Sequence, residues 1–197
     1  MHHIYQTEGF VIGGTNAGEA NRYLKIFTLD FGMISGSAQG IRHLKSKLRY
    51  SLQDFSYSSV SLVKGKDVWR VVNAEKKENL WELFRKEKRK LEIFARSLSL
   101  LKRFLHGEEK NEALFRLFSS SCFYLAKSET LFPEDLRNFE YVLVLRILHN
   151  LGYLKKLPIL SPFSETDAWN QDILREMEGH KALALAEINR SFTESHL

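Results

Sequence analysis

The chain has 197 residues, 44% hydrophobic and 27% charged, with a net charge of +5 and a pI near 9.2. That balance excludes intrinsic disorder, and the length suffices for one domain or two small ones that bury about 70% of the unfolded surface. The single cysteine, Cys122, excludes an internal disulfide and a cysteine-based zinc centre, and the basic balance points mildly towards polyanionic partners.

Cys122 sits in the apolar run LFSSSCFYLAK and reads as a small buried hydrophobe rather than a nucleophile. The N-terminus MHHIYQTEGF has no cationic segment leading into an apolar stretch, and nowhere do eighteen apolar residues run together. The expectation is a cytoplasmic protein without a membrane span.

From Tyr5 to Glu75 short apolar runs alternate with glycine-containing turn signals at Gly13-Gly14, Asp30-Phe31-Gly32 and Lys64-Gly65-Lys66-Asp67. In RYLKIFTL, period-two alternation places Tyr23, Lys25 and Phe27 on one face and Leu24, Ile26 and Thr28 on the other. About five strands in some seventy residues is the size of a small closed barrel of the oligonucleotide-binding (OB) type. Between the third and fourth strands lies a loop with four cations and no acid, Arg42, Lys45, Lys47 and Arg49. With Arg22 and Lys25 these could neutralise phosphates along a groove, where each released counterion adds salt-sensitive affinity. The plainer alternative is a solvated loop. Of the strand aromatics, Phe27, Phe55 and Trp69 read as core, while Tyr23 and Tyr57 are the candidates for stacking on bases.

After Glu75 the apolar period becomes helical, so the boundary is expected near residues 74 to 80, with an OB domain over 1–76 and an all-α domain over 77–197. The fold class is thus α+β. Leu91, Phe94, Leu98, Leu101 and Leu105 form one stripe of a long helix ending near His106-Gly107. A second helix is predicted over Asn111 to Lys127, a third from Pro133-Glu134-Asp135 to Gly152, an irregular connection over Leu154 to Asp167, and a last helix over Asp167 to Arg190. The cluster Arg85-Lys86-Glu87-Lys88-Arg89-Lys90 lies on a predicted helix and reads as a solvated face, with an extended DNA track or a grip on an acidic partner as the alternatives.

Catalytic chemistry finds no support. The histidines are scattered, the His2-His3 pair is no better than chance as a metal site, and no phosphate-cradling loop or nucleophile elbow is present. No cofactor is expected, and the chain reads as a non-enzyme.

Several of these residues recur in one known arrangement. A first strand TEGFVIGG is followed by Gly18-Glu19 and Arg22, by Phe27-Thr28 and Gly32, by Gly40-Ile41-Arg42 through Lys45-Ser46-Lys47, and by Leu52-Gln53 with Phe55. In that order and spacing the chain resembles the bacterial RecO family of recombination mediators. The helical half adds Ala113-Leu114-Phe115-Arg116-Leu117 and the run from Leu145 to Tyr153 that ends in Leu-Gly-Tyr, so the resemblance covers about residues 4 to 155. Beyond Tyr153 it fails, because many relatives place four zinc-binding cysteines where this chain has LKKLPILSPFSETDAWNQD. The chain is also shorter than the usual member.

The resemblance implies a nucleoid-associated protein that binds single- and double-stranded DNA and anneals strands. It also implies work with RecR and single-stranded DNA-binding protein (SSB) to load the RecA recombinase in repair of DNA damage. It further implies that the helical domain captures the acidic C-terminal tail of SSB, which demands an apolar slot with a cation at its mouth. Arg137 is placed there, with Leu136 and Phe139 flanking it. Arg146, nine residues on and about 180° round the same helix, is given a structural role. The rival reading is a protein-interaction adaptor whose barrel and helical grooves bind partner proteins rather than DNA.

Overall fold

A computed structural model describes residues 3–128 and 131–195, which leaves His2 outside. Five strands, β1 (Ile4–Ala17), β2 (Asn21–Thr28), β3 (Gly32–Ala38), β4 (Ser56–Lys64) and β5 (Trp69–Asn79), close into a barrel of order β1-β2-β3-β5-β4. Strand β1 pairs with β4 through its first half and with β2 through its second, while two parallel pairs, Gly36 with Trp69 and Ser37 with Arg70, join β3 to β5. This is the five-stranded barrel expected of an OB fold. Eight helices complete the chain: α1 (Lys47–Ser51), α2 (Leu80–Phe84), α3 (Lys88–Phe104), α4 (Glu112–Lys127), α5 (Pro133–Asn150), α6 (Ser161–Ser164), α7 (Gln171–Glu178) and α8 (Lys181–Glu194).

The alternation of β2 decides what lies inside the barrel. Leu24 and Ile26 point in, where they meet Val11, Ile34, Val60, Leu62, Trp69 and Val71, and Leu52 and Ile41 belong to the same buried cluster. The opposite parity is divided. At one end Phe27, with Phe10, Met33 and Tyr57, is buried under Phe115 and Phe118 of α4 and Phe94 and Leu98 of α3. At the other end Tyr23 and Lys25 remain exposed. Phe10 stacks on Tyr57 with ring centroids 4.7 Å apart and meets Phe118 edge-on at 5.1 Å. At about 1.5–3 kcal/mol per buried aromatic, this seam holds the helical layer on the barrel. A third cluster, with Leu145, Leu148, Phe163, Met177 and Ile188, joins α5 to α6, α7 and α8.

Four expectations are corrected. Gly13-Gly14 is no turn: β1 runs through it with a register shift between Val11 and Gly13, and the chain reverses at Gly18-Glu19-Ala20 instead. A Cβ on Gly14 would lie 2.4 Å from the Tyr23 carbonyl oxygen, so this glycine serves a close strand approach rather than a reversal. The basic loop is partly helical, because α1 takes up Lys47 to Ser51. The cluster from Arg85 to Lys90 is not one helical face: the chain bends at Arg85-Lys86 and stacks Phe84 on Phe94, centroids 4.9 Å apart. Lys90 is buried and donates to the Ser128 carbonyl at 2.8 Å. Lastly, the helix expected over Asp167 to Arg190 is two, separated at Gly179-His180.

The second and third predicted helices, α4 and α5, keep their predicted starts. Asn111 caps α4 by accepting from the Leu114 amide, and Asp135 accepts from the Phe132 amide at the start of α5. The connection from Gly107 to Asn111 clasps the barrel. The Met33 amide donates to the Gly107 carbonyl, Trp69 Nε1 donates to Glu108 at 2.8 Å, Lys64 pairs with Glu108 at 3.1 Å, and Lys110 pairs with Asp30 at 3.5 Å. Gly32 closes the contact, with φ of +64° and a position where a Cβ would lie 2.1 Å from the Glu109 carbonyl oxygen. Among the described residues no helix is long and apolar enough to cross a membrane.

Candidate nucleic-acid interface

Strand β2 supplies the first cations, and its pairing positions them. Arg22 lies opposite Asn16 and Ala38, Tyr23 opposite Thr15 and Ser37, and Lys25 opposite Gly13 and Ser35. Polar or small neighbours on both sides leave Tyr23 48% exposed and Lys25 open to solvent. Arg22 is half-buried. Its Nη2 donates to Asp54 at 3.1 Å, while its Nε is buried with no partner among the described residues.

The chain then leaves β3 and returns over the barrel rim. Arg42 Nη1 donates to the Gly18 carbonyl at 2.9 Å, which fixes this loop against the β1–β2 turn. Lys45, Lys47 and Arg49 follow, all exposed. Among the described residues none of Lys25, Arg42, Lys45, Lys47 and Arg49 has an acidic partner within ion-pair distance. Arg22, Arg42 and Arg49 line one cleft of about 380 Å³ with Ile41 and Gln53. Among the described residues Arg42 and Arg49 have no counter-charge there, so the clustered guanidinium groups repel one another, and a phosphate backbone relieves that repulsion.

Tyr57 takes a different position from the one expected. Its ring lies between Phe10 and Phe123 and its hydroxyl donates to Glu8, which also accepts from Lys77. The Lys77 bond holds the Glu8 carboxyl below its ordinary value, and burial pushes the Tyr57 hydroxyl up. Covered in this way, Tyr57 offers no face to a base. The polar tip of Tyr57 beside polar neighbours suggests a stacking face, but the sequence does not show that α4 lies over that half.

In the helical layer, Arg137 is exposed and pairs with Glu134 of its own helix at 3.3 Å. Leu136 is buried, and Phe139 is fully buried between Tyr124 and Trp169 at 6.0 and 4.4 Å. Phe139 therefore cannot flank a surface slot. Arg146 is buried, donates to the carbonyls of Phe163 and Ala168 at 2.9 and 2.8 Å, and lies over the Trp169 ring at 4.1 Å. Burial pushes its guanidinium down to about 10, leaving it charged at neutral pH. Cys122 is buried and its thiol is raised well above the ordinary value by desolvation. Among the described residues no group of three histidine, cysteine, aspartate or glutamate side chains converges as a metal site would require.

The comparisons with known proteins bear on this arrangement. Residues 1–79 match the family model described as recombination protein O N terminal. The DNA repair protein RecO of Alkaliphilus metalliredigens is 34% identical over 141 residues, 72% of this chain and 57% of the relative. The protein of that name from Acetivibrio thermocellus is 31% identical over 148 residues, 75% of this chain and 57% of the relative. The one from Dehalococcoides mccartyi strain CBDB1 is 31% identical over 159 residues, 79% of this chain and 59% of the relative.

The chain belongs to the RecO family.

The RecO match over 1–79 contains the whole barrel and every one of the eight residues expected to meet nucleic acid, whereas Leu136, Arg137 and Phe139 lie beyond it. The chain spans a little under three fifths of the length of these RecO relatives. Two side chains at the interface escape sequence reasoning. Asp54 is distant from Arg22 in the chain, and Lys102 sits in the last turn of α3, where it reads as an ordinary solvated lysine. Only the closed barrel brings the first beside β2, and only the packed helical layer brings the second there.

Proposed function

We propose that this chain is a non-enzymatic DNA-binding and strand-annealing component of recombinational DNA repair, built as an OB lobe over 1–76 and a helical lobe over 77–197. The observation that carries the reading is the run Arg42, Lys45, Lys47 and Arg49. It is exposed and without acidic partners, and it stands beside the open half of a barrel whose family members are named DNA repair proteins. Annealing on such a surface needs no ATP: cations hold two backbones together, lower their repulsion and leave the base edges free to pair. The same surface accepts double-stranded DNA through its phosphates. In this reading the protein works with RecR and helps load RecA onto DNA coated by SSB. Arg137 is the cation that meets the SSB tail carboxylates, beside the exposed Phe132 at the start of α5.

Oligonucleotide affinity at two salt concentrations tests the reading. Neutralising all four loop cations should weaken single-strand binding alike for all base sequences. The slope of log affinity against log salt should become shallower by roughly 0.7 per lost contact. An unchanged slope in the folded variant would place the track elsewhere. Exposed apolar side chains on the helical layer, Trp81, Phe123 and Phe132 among them, favour an adaptor as the second reading. Absence of salt-dependent DNA binding by the wild-type chain would select it.

A further inference from the structure

The open end of the outer barrel face carries a feature that a purely electrostatic track does not need. Tyr23 is the aromatic residue at that end, and among the described residues its ring has neither an aromatic nor a cationic neighbour. The other well-exposed tyrosine, Tyr50, is capped by Lys76 at 3.7 Å. Beside Tyr23 lies a cleft of about 260 Å³, lined by Gly13, Thr15, Lys25, Ser35 and, from the helical layer, Lys102. This is a little under the roughly 300 Å³ at which small-ligand pockets begin, so it has room for one base with its sugar and none for a dinucleotide. The bulge in β1 shapes its floor. Gly13 and Gly14 both line it, and a Cβ on Gly13 would meet nothing within 4 Å. Lys25 and Lys102 are both exposed, and among the described residues neither has an acidic partner.

Resting on the DNA-binding reading above, we infer that this cleft seats a single nucleotide of a single strand. The base lies on Tyr23, the phosphate sits between Lys25 of the barrel and Lys102 of α3, and the hydroxyls of Thr15 and Ser35 face the sugar. An aromatic face stacks any base, so the pocket fixes the register of the strand without reading its sequence. Lys102 makes the helical layer part of the DNA interface, a role that no sequence motif assigns to it. A duplex cannot use the pocket, because its bases are already stacked on one another.

The test uses the whole chain and a thymidine oligonucleotide carrying one photoreactive 5-iodouracil, with adducts mapped by mass spectrometry. The expected adduct is on Tyr23. Tyr23→Ala and Lys102→Glu should each lower single-strand affinity about fivefold or more, with Tyr23→Phe close to wild type. Lys181→Glu, the same charge change on the distant helix α8, should stay within about twofold. Duplex affinity should be unchanged by Tyr23→Ala. If the wild-type chain binds with the expected salt dependence but adducts map to other aromatics and Lys102→Glu behaves like Lys181→Glu, the pocket is wrong and the basic track stands. If the wild-type chain does not bind the oligonucleotide, the DNA-binding reading itself fails and takes the pocket with it.

Discussion

Asp54 sets a negative charge on Arg22, one of the three arginines that line the rim cleft, and Arg22 is its only side-chain partner among the described residues. A half-exposed pair of this kind contributes little to stability, about 0–1 kcal/mol, yet it occupies the guanidinium that a phosphate would use. Asp54→Asn should therefore tighten single-strand binding about twofold to fivefold, roughly 0.4–1 kcal/mol, and the gain should vanish in an Arg22→Gln background. Equal gains in both backgrounds, measured by fluorescence anisotropy, would show that Asp54 acts only through bulk charge. Residues of this kind mark how far sequence reasoning reaches. Leu24 and Ile26 were legible because a period of two fixes their face, whereas Phe139 was misassigned because its helix is covered on more than one side. Helical spacing cannot distinguish a residue beneath one neighbour from a residue between two.

Among the elements, α8 secures the segment after α5 by polar bonds beside the apolar packing of Leu154, Leu157 and Leu160. Glu187 is buried, accepts from the Lys155 amide at 2.9 Å and from Arg190, and so pins the connection after α5 to the last helix. Hydrogen bonding by Arg190 holds its carboxyl below the ordinary value of 4.5. A folded-state value below the unfolded one means stability that is present above about 4.5 and lost as pH falls through the lowered value. Glu187→Gln should therefore be less stable at neutral pH, and its thermal midpoint should decline less steeply below about pH 4.5 than that of the wild type. Parallel acid limbs would contradict this assignment. The element boundaries that could be read ahead of the structure were those with chemical punctuation, Asn111 at the start of α4 and Pro133 at the start of α5. Of the missed ones, the bend at Arg85-Lys86 goes with packing, the Phe84–Phe94 stack, whereas the break at Gly179-His180 falls at the glycine that caps α7.

For the molecule as a whole, the clasp between the 107–111 connection and the barrel ties the helical layer to the sheet. Gly32→Ala combines an unfavourable positive φ with a collision against backbone at Glu109, so it should cost about 1–3 kcal/mol or more. A urea midpoint lowered at unchanged m-value would record it. An unaltered midpoint would mean that the turn can back away from the helical layer. Covering one half of the barrel's outer face with α3 and α4 also has a topological consequence. A strand lying on the remaining half is never encircled by protein, so it needs no free end to enter and no opening of the chain to leave. On the DNA-binding reading proposed above, a closed circular oligonucleotide should then bind as tightly as its linear form, and a duplex annealed there could depart sideways.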